Sequence, residues 1–345
     1  MDRRSLIILT LIAAAAVVVA LTLAATRSEP TVEAASSTSE VAPTSTTSLP
    51  DSTNPESIST TAAPEATSTT TPDVTLAPGS TACDPYSTIS VAGEIASRHL
   101  VEASGMAASR TSPGVLWAHN DSRDGARIYA VDPGGGDLGG FDIAGALAFD
   151  WEDMAAGPGS DPTQSMLFLG DIGDNFSIRG GRITVYRVPE PDPASISGMI
   201  EGAVPLEYQY PDGVYNAEAL FVADGSIFIV TKDRDETRVY RGNATGDGST
   251  VETLQLMTVL PLGAEVSGAD VSWDGSTIAF RGYNTVWMWH RPPGTQIAEA
   301  LTGDPCTAPS PDEVQGESIA FLSDGSYATV SEGSYPDLHV VERRS

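Results

Sequence analysis

Short apolar runs separated by turns recur in five similar cassettes across the C-terminal two-thirds of the chain. Each cassette opens with a small or acidic residue before an apolar stretch, and two further β-rich runs follow, each after a turn. The cassettes open at Ser104, Glu152, Glu218, Ala269 and Glu317. Because a period of roughly 50 residues built from short strands is typical of a β-propeller, the pattern predicts an all-β propeller with one blade per cassette.

The spacing of the cassettes predicts the number of blades. Five cassettes predict five blades, and a Pro-rich insertion from Pro189 to Pro211 leaves a sixth blade as the alternative. The last cassette has no fourth strand, whereas the β-rich run that begins at Ser87 has no cassette of its own. We therefore expect this N-terminal run to complete the last blade, because a closed ring leaves no exposed strand edge.

Asp-Gly pairs support the same alignment of the cassettes. They occur at Asp224-Gly225, Asp274-Gly275 and Asp324-Gly325, each between the first and second runs of a cassette. Asp-Gly is a strong signal for a tight hairpin, because such a turn needs positive φ. The three pairs therefore predict hairpins at equivalent places in three blades.

The segment before the propeller has a different composition. Residues 1–27 contain an apolar run from Leu6 to Thr26 with arginines on both sides, which predicts a membrane anchor, with a cleaved signal as the alternative. Residues 28–82 are rich in Ser, Thr, Pro and Ala. They predict a disordered stalk, because such a stretch cannot bury enough apolar area to fold. The propeller is expected over residues 83–345, outside the cell, either anchored to the membrane or secreted.

The chain contains two cysteines, Cys83 at the start of the propeller and Cys306 before the last cassette. Outside the cell they are expected to form a disulfide, with two free thiols as the alternative. Cys83 precedes the strand that closes the ring, and Cys306 precedes the blade that this strand joins. A disulfide between them would therefore lock the closure.

The formal net charge of −28 limits the classes of partner. A surface this acidic repels phosphate backbones, so nucleic acid is not expected as a partner. The charge is compatible with bound cations, and solubility alone explains the bulk of it equally well. We expect a monomer that binds an extracellular ligand or protein, whose identity the sequence does not indicate.

Ionisable residues recur at one end of the predicted blades. The start of a first strand and the end of a second strand lie on the same face of the propeller, because the two strands are antiparallel. Glu152, Glu218 and Glu317 begin first strands, while Glu102 and Asp270 lie one or two places out of register. The residues at the second-strand ends are His119, Asp171, Lys232, Arg281 and Glu332. The pattern predicts a ring of ionisable groups around one mouth of the central channel.

Calcium is the cofactor that these residues favour. Crowded carboxylates share a cation readily, and calcium takes about six to eight oxygen ligands. The predicted metal ligands are Glu152, Glu218, Glu317 and Asp171, and the predicted ligand-binding residues are His119, Lys232, Arg281 and Glu332. Further oxygen ligands could come from the residues just beyond the second-strand ends of cassettes one and two, which are Asp121, Asp124, Asp174 and Asn175. Three alternatives stay open: the glutamates accept backbone N–H bonds from neighbouring blades, Lys232 neutralises Glu218, or His119 is simply a hydrogen-bonded residue.

The strings SGMAAS, LWAHNDS, LFLGDIGDN, NAEALF and GESIAF resemble those of secreted bacterial β-propeller proteins of unassigned activity. The resemblance covers residues 99–345 and extends more distantly to phytase-like and gluconolactonase-like propellers. The fourth cassette departs from it, with Ala269 where glutamate is expected. The phytase-like resemblance implies calcium held by Glu and Asp at the channel mouth and phosphate held by Lys and Arg, a role that only Lys232 and Arg281 match.

Two classes of function follow from these observations. The first is a membrane-tethered extracellular propeller that binds calcium and presents its acidic mouth to a ligand or partner. The second is a calcium-dependent hydrolase, either a phosphoesterase with the three glutamates as metal ligands or a glycosidase that uses two of them. The fold alone does not choose between these functions, because propellers host all of them.

Overall fold

The computed structural model describes residues 76–344 except residues 78, 122, 123 and 197. Within this range the regular secondary structure is almost entirely β-strand, with one short helix, α1 (Ile297–Ala300). No helix among the described residues is long and apolar enough to span a bilayer. The predicted anchor at residues 1–27 and nearly all of the predicted stalk at residues 28–82 lie outside the described residues.

The strands are short, and most are bounded by turns. The first eleven are β1 (Tyr86–Glu94), β2 (Ala103–Ala108), β3 (Leu116–Asn120), β4 (Arg127–Val131), β5 (Asp137–Ile143), β6 (Trp151–Pro158), β7 (Ser165–Asp171), β8 (Arg182–Pro189), β9 (Met199–Ile200), β10 (Val204–Gln209) and β11 (Ala217–Ala223). The remaining strands are β12 (Ser226–Thr231), β13 (Thr237–Asn243), β14 (Glu252–Thr253), β15 (Gln255–Leu260), β16 (Gly268–Val271), β17 (Thr277–Gly282), β18 (Thr285–His290), β19 (Cys306–Ala308), β20 (Gly316–Phe321), β21 (Tyr327–Ser331) and β22 (Asp337–Arg343).

These strands form five sheets, and each sheet is one blade of a propeller. The blades are β2-β3-β4-β5-β9, β6-β7-β8-β10-β14, β11-β12-β13-β15, β16-β17-β18-β19 and β20-β21-β22-β1. The innermost strands β2, β6, β11, β16 and β20 contact one another in that order, and β20 contacts β2 again. The predicted five-bladed propeller is therefore confirmed.

The Pro-rich insertion does not form a blade of its own. Its strand β9 pairs in parallel with β5, and β10 pairs antiparallel with β8. The insertion thus supplies outer strands to blades one and two, because the edges of these two blades were free to accept them.

The N-terminal strand closes the ring, as the sequence predicts. β1 pairs antiparallel with β22, from Tyr86 opposite Arg343 to Glu94 opposite Asp337. The disulfide between Cys83 and Cys306 is present and joins the residues before β1 to β19 of blade four. Both predictions, the closing strand and the disulfide, are confirmed.

The Asp-Gly pairs lie in the predicted hairpins between the first and second strands of blades three to five. Asp224 and Gly225 both have positive φ, at 50° and 69°, which is the two-residue turn that Asp-Gly favours. At the other two hairpins only the glycines have positive φ, 72° at Gly275 and 84° at Gly325.

A buried aspartate accepts hydrogen bonds from the innermost strands of three blades. Asp153 lies on β6 and is fully buried. Its carboxylate accepts backbone N–H bonds from Met154 on its own strand, from Leu220 on β11 and from Ala269 on β16, at 2.8, 2.9 and 3.1 Å. Adjacent innermost strands share no sheet hydrogen bonds, so side chains of this kind supply the polar links between blades.

Apolar side chains fill the spaces between neighbouring blades. Four of the five interfaces contain three or more buried aromatic rings, such as Phe221, Phe280 and Trp289 between blades three and four. The interface between blades five and one is different, because Tyr129 is its one buried aromatic residue. Its core contains five alanines instead, so this interface is packed with the smallest side chains.

Candidate metal centre at the channel mouth

The three glutamates predicted at first-strand starts lie on β-bulges. Glu152, Glu218 and Glu317 each fall where the register of β6, β11 or β20 against its partner strand shifts. A bulge bends the strand and re-aims a side chain, and bulges are common next to functional sites. In blade four β16 pairs without a register shift, and Ala269 stands at the equivalent place. The register of β2 in blade one also shifts, at Ser104 and Gly105, so a bulge at this place does not require a glutamate.

Three carboxylates on blades one and two converge at the mouth. Asp121 follows β3, Asp150 precedes β6, and Glu152 lies on β6. One oxygen of each lies within 4.8 Å of the others. Because calcium holds its oxygen ligands at about 2.4 Å, a single ion fits between oxygens with this separation.

Two oxygen atoms of this trio are buried and have no hydrogen-bond partner. They are Oε1 of Glu152, whose residue is 4% exposed, and Oδ1 of Asp121. A buried carboxylate oxygen without a donor or a cation is costly, because it has lost its hydration. The donor set and these two atoms fit a bound cation.

A glycine allows two of the carboxylates to approach the backbone. A Cβ atom placed on Gly173 would lie 2.1 Å from Oε1 of Glu152 and 2.5 Å from Oδ2 of Asp150. Any side chain at Gly173 would therefore displace both oxygens. The loop after β7 thus forms one wall of the trio.

Asp171, a predicted metal ligand, is not one of the three converging carboxylates, but its side chain contacts the backbone of one of them. Its Oδ1 accepts the backbone N–H of Asp150 at 2.9 Å, and its carboxylate pairs with Arg179. Asp171 is thereby placed to hold Asp150 in position.

The opposite side of the mouth holds the other predicted residues. Lys232 pairs with Glu218, and its ammonium lies 5.7 Å from the ring centroid of Tyr283 on blade four. Glu317 accepts a hydrogen bond from the side chain of Gln315 at 2.7 Å. Glu332 is half-buried, so burial raises the pKa of its carboxyl group, and the nearby positive charge of Lys232 partly offsets this rise. The mouth thus combines many carboxylates with one lysine.

Burial and mutual repulsion raise the pKa values of these carboxyl groups. Burial is the first cause for each, and neighbouring carboxylates add to it. The pKa of Asp121 rises to about 7, with Asp150 the largest neighbouring charge. The pKa of Glu317 rises to about 8, and that of Glu152 lies well above its usual range, with Glu218 and Asp121 contributing. In the absence of a cation, the mouth therefore holds protons near neutral pH.

The raised pKa of Glu317 predicts a pH-dependent stability when divalent cations are removed. The folded protein binds this proton up to about pH 8, whereas the unfolded chain releases it near pH 4.3. Its contribution is therefore fully present below the unfolded pKa and is lost as pH rises to 8. In EDTA we expect Glu317→Gln to match the wild type in melting temperature at pH 4 and to exceed it at pH 8.

The control for this measurement is Glu201→Gln, since Glu201 is exposed and lies between β9 and β10. This variant should follow the wild type at both pH values. Equal melting temperatures of Glu317→Gln and wild type at pH 8 would contradict the assigned shift.

Two predicted ligand-binding residues lie inside the blades and away from the mouth opening. His119 is fully buried, with Nδ1 3.0 Å from the carbonyl oxygen of Asn120 and its ring against Trp151. Burial lowers its pKa to about 4, so the imidazole is neutral. Arg281 is also fully buried and pairs with Glu313.

Exposed apolar side chains surround the same mouth. The five most exposed large apolar residues of the described chain all lie in loops on this face, either before an innermost strand or between a second and a third strand. We call them the apolar collar: Leu147, Phe149, Phe176, Ile178 and Val314. Val314 is 99% and Phe176 77% exposed. Large exposed apolar groups around a polar centre are typical of an interaction surface.

Asp150 and Gly173 are the site residues that the sequence prediction missed. Asp150 and Glu152 are two positions apart, a spacing that puts side chains on the same side of an extended chain. This Asp-x-Glu spacing was a usable signal for Asp150. No comparable signal marks Gly173, because its importance depends on which loop faces the trio.

Comparisons with known proteins find similar structures at low identity. No protein-family model and no curated protein matches the sequence. A gluconolactonase from Xanthomonas campestris is 16% identical, with 76% of this chain and 86% of that chain covered and a TM-score of 0.42. A glucose dehydrogenase is 11% identical, with 74% of this chain and 99% of that chain covered and a TM-score of 0.44. Neither likeness bears on the activity of this chain.

Proposed function

We propose that the protein binds a divalent cation, calcium, at the channel mouth through Asp121, Asp150 and Glu152. The observation that carries this proposal is the buried, unpartnered Oε1 of Glu152, which lies within 4.8 Å of oxygens from the two aspartates. A cation there relieves both the lost hydration and the repulsion that raise the pKa values of these groups.

The chemistry of the donor set favours calcium among divalent cations. All three groups are carboxylates, which suit hard cations, and calcium accepts flexible geometry with about six to eight oxygen ligands. The group of possible ligands contains no histidine, and His119, the one histidine among the predicted site residues, is fully buried, so a zinc site with imidazole ligands is disfavoured. Water and the neighbouring Glu218 are available to complete the coordination.

Calcium titration of the purified protein tests the proposal. We expect a saturable isothermal-titration signal, and a rise in unfolding free energy of about 2.7 kcal/mol at a calcium concentration one hundred times the dissociation constant. Glu152→Gln and Asp150→Asn keep the side-chain shape but remove one charge each. Each is expected to weaken calcium binding at least about tenfold, because a charged ligand is lost.

The exposed variant Glu201→Gln serves as the matched control and should bind calcium like the wild type. Two results would overturn the proposal: no heat and no thermal shift with calcium, magnesium or manganese, or unchanged affinity in both Glu152→Gln and Asp150→Asn.

We further propose that a protein partner binds over the mouth. The apolar collar and the acids outside the calcium trio, Glu317 and Glu332, support this. Apolar side chains of the partner would cover the collar, and a basic group would meet the carboxylates of Glu317 and Glu332. The disulfide supports an extracellular location for this encounter. Tethering of a monomeric propeller to the membrane by residues 1–27 belongs to the same proposal.

The positions of the basic residues disfavour the hydrolase alternative. A phosphoesterase needs cations that hold the phosphate, and Lys232 is already paired with Glu218. Arg281 is enclosed within the blade beside Glu313, so it does not reach a ligand at the mouth. We therefore propose a binding function for this site.

A further inference from the structure

A cavity opens on the face opposite the acidic mouth. It has a volume of about 260 Å³ and lies between blades five and one. Much of its wall comes from turns that join innermost to second strands, which lie at the end of the blades opposite the mouth. Pro133 and residues of β21 and β22 complete the wall. The apolar lining includes Pro113, Val115, Leu116, Leu322, Leu338 and Val340.

The cavity follows from how this interface is packed. The core between blades five and one contains Ala108 and Ala328, which also line the cavity, and it has fewer aromatic rings than the other four interfaces. Small side chains on facing strands leave space that a ring would fill. An apolar space of this size binds apolar molecules in preference to water.

Two charged side chains line the apolar cavity, Arg110 and Asp324. Asp324 is exposed, and its Oδ1 accepts the backbone N–H of Ser326 at 2.9 Å. The guanidinium of Arg110 lies 5.0 Å from the ring centroid of Trp273, and its Nε donates to the carbonyl oxygen of Ala156 at 2.9 Å. Both Arg110 and Trp273 line the cavity. The terminal nitrogens of Arg110 pair with no carboxylate among the described residues.

The two acids whose charges act on Arg110, Glu190 and Asp270, accept hydrogen bonds from other donors. The carboxylate of Glu190 accepts the backbone N–H of Arg110 and the indole N–H of Trp117. That of Asp270 accepts the backbone N–H groups of Val271 and Phe321. The planar fork of Arg110 is therefore available to a carboxylate that comes from outside, for which an arginine is well suited.

We propose that this cavity binds a small organic carboxylate with an apolar body. The carboxylate pairs with the guanidinium of Arg110, and the body lies against the alanine, leucine and valine side chains of the two blades. The volume lies just below the roughly 300–1,000 Å³ of clefts that hold drug-sized ligands, so the ligand is smaller than these. This site is independent of the proposed calcium centre.

Calorimetric titration of the purified protein with octanoate tests the proposal, with octanamide as the uncharged probe of the same shape. We expect saturable binding of octanoate and at least about tenfold weaker binding of octanamide, because the charge-assisted hydrogen bonds to Arg110 are lost. This comparison needs no variant, so it does not depend on how substitutions affect folding.

Variants separate the two parts of the site. Arg110→Met keeps much of the aliphatic packing and should weaken octanoate at least about tenfold while leaving octanamide unchanged. Ala108→Leu fills the cavity and should weaken both probes. Glu152→Gln, at the opposite mouth, should leave both unchanged, whatever its effect on calcium.

Two outcomes would overturn the proposal. One is the absence of saturable octanoate binding to the wild-type protein. The other is equal affinity for octanoate and octanamide, which would remove the role of Arg110. Circular dichroism of each variant establishes that it is folded before its affinity is compared.

Discussion

Replacing Cys83 and Cys306 together by serine is expected to lower the free energy of unfolding by up to about 5 kcal/mol. The two cysteines are 223 positions apart, so the bond closes a loop that contains β1 and the strands β2 to β18. In the chain-entropy account, a loop of this length restricts the unfolded chain strongly and thereby stabilises the folded state. Urea unfolding of the wild type and the double variant, followed by tryptophan fluorescence, measures the difference.

Reduction of the wild type is the control for this prediction, because the reduced protein should unfold at the same urea concentration as the double variant. Coincidence of all three curves would show that the bond is not a source of stability. A loss much smaller than expected would mean that the unfolded chain stays compact without the disulfide.

Asp153→Ala is expected to destabilise the protein by about 3 kcal/mol or more, since it leaves three buried N–H groups without an acceptor at about 1–3 kcal/mol each. These N–H groups belong to strands of blades two, three and four. Asp153→Asn is expected to lose less, because its amide oxygen can still accept the bonds from blades three and four. Urea unfolding of both variants against the wild type measures these losses.

Asp192→Ala is the matched control for Asp153. The carboxylate of Asp192 also accepts a backbone N–H bond, from Ala194, but at an exposed turn where water replaces the lost acceptor. We expect a loss of less than about 1 kcal/mol. A similar loss in Asp153→Ala would show that the channel aspartate is not a link between blades.

The architecture could be predicted because the same pattern of apolar runs and turns repeats five times along the sequence. Five cassettes with the same order of strands and turns specify five blades. The run that begins at Ser87 could be assigned because only the last blade lacked a fourth strand. The disulfide could be predicted as well, because Cys83 precedes the closing strand and Cys306 precedes the last cassette. These features depend on local pattern and on chain order.

The site was less predictable because it depends on bulges and loops. Strand alternation by itself does not reveal the register shifts that aim Glu152, Glu218 and Glu317 at the mouth. Arg281 ends a second strand as Lys232 does, yet it lies buried beside Glu313, which comes from a loop without periodicity. The alignment of cassettes gives Lys232 and Arg281 equivalent positions. In the structure Lys232 lies at the mouth, whereas Arg281 is buried within its blade.

The closing strand also has a consequence for the order of assembly during synthesis. Ser90 on β1 hydrogen-bonds to Val340 on β22, 250 positions later. At roughly 5–20 residues per second, the ribosome needs on the order of 10–50 s to deliver the partner of β1. Throughout this time β1 is an unpaired strand, and such strands attract other chains. Most of its nine residues are exposed even in the finished ring, and serine, threonine, glycine and glutamate make up five of the nine. Its polar composition suits a strand that emerges first and is paired last.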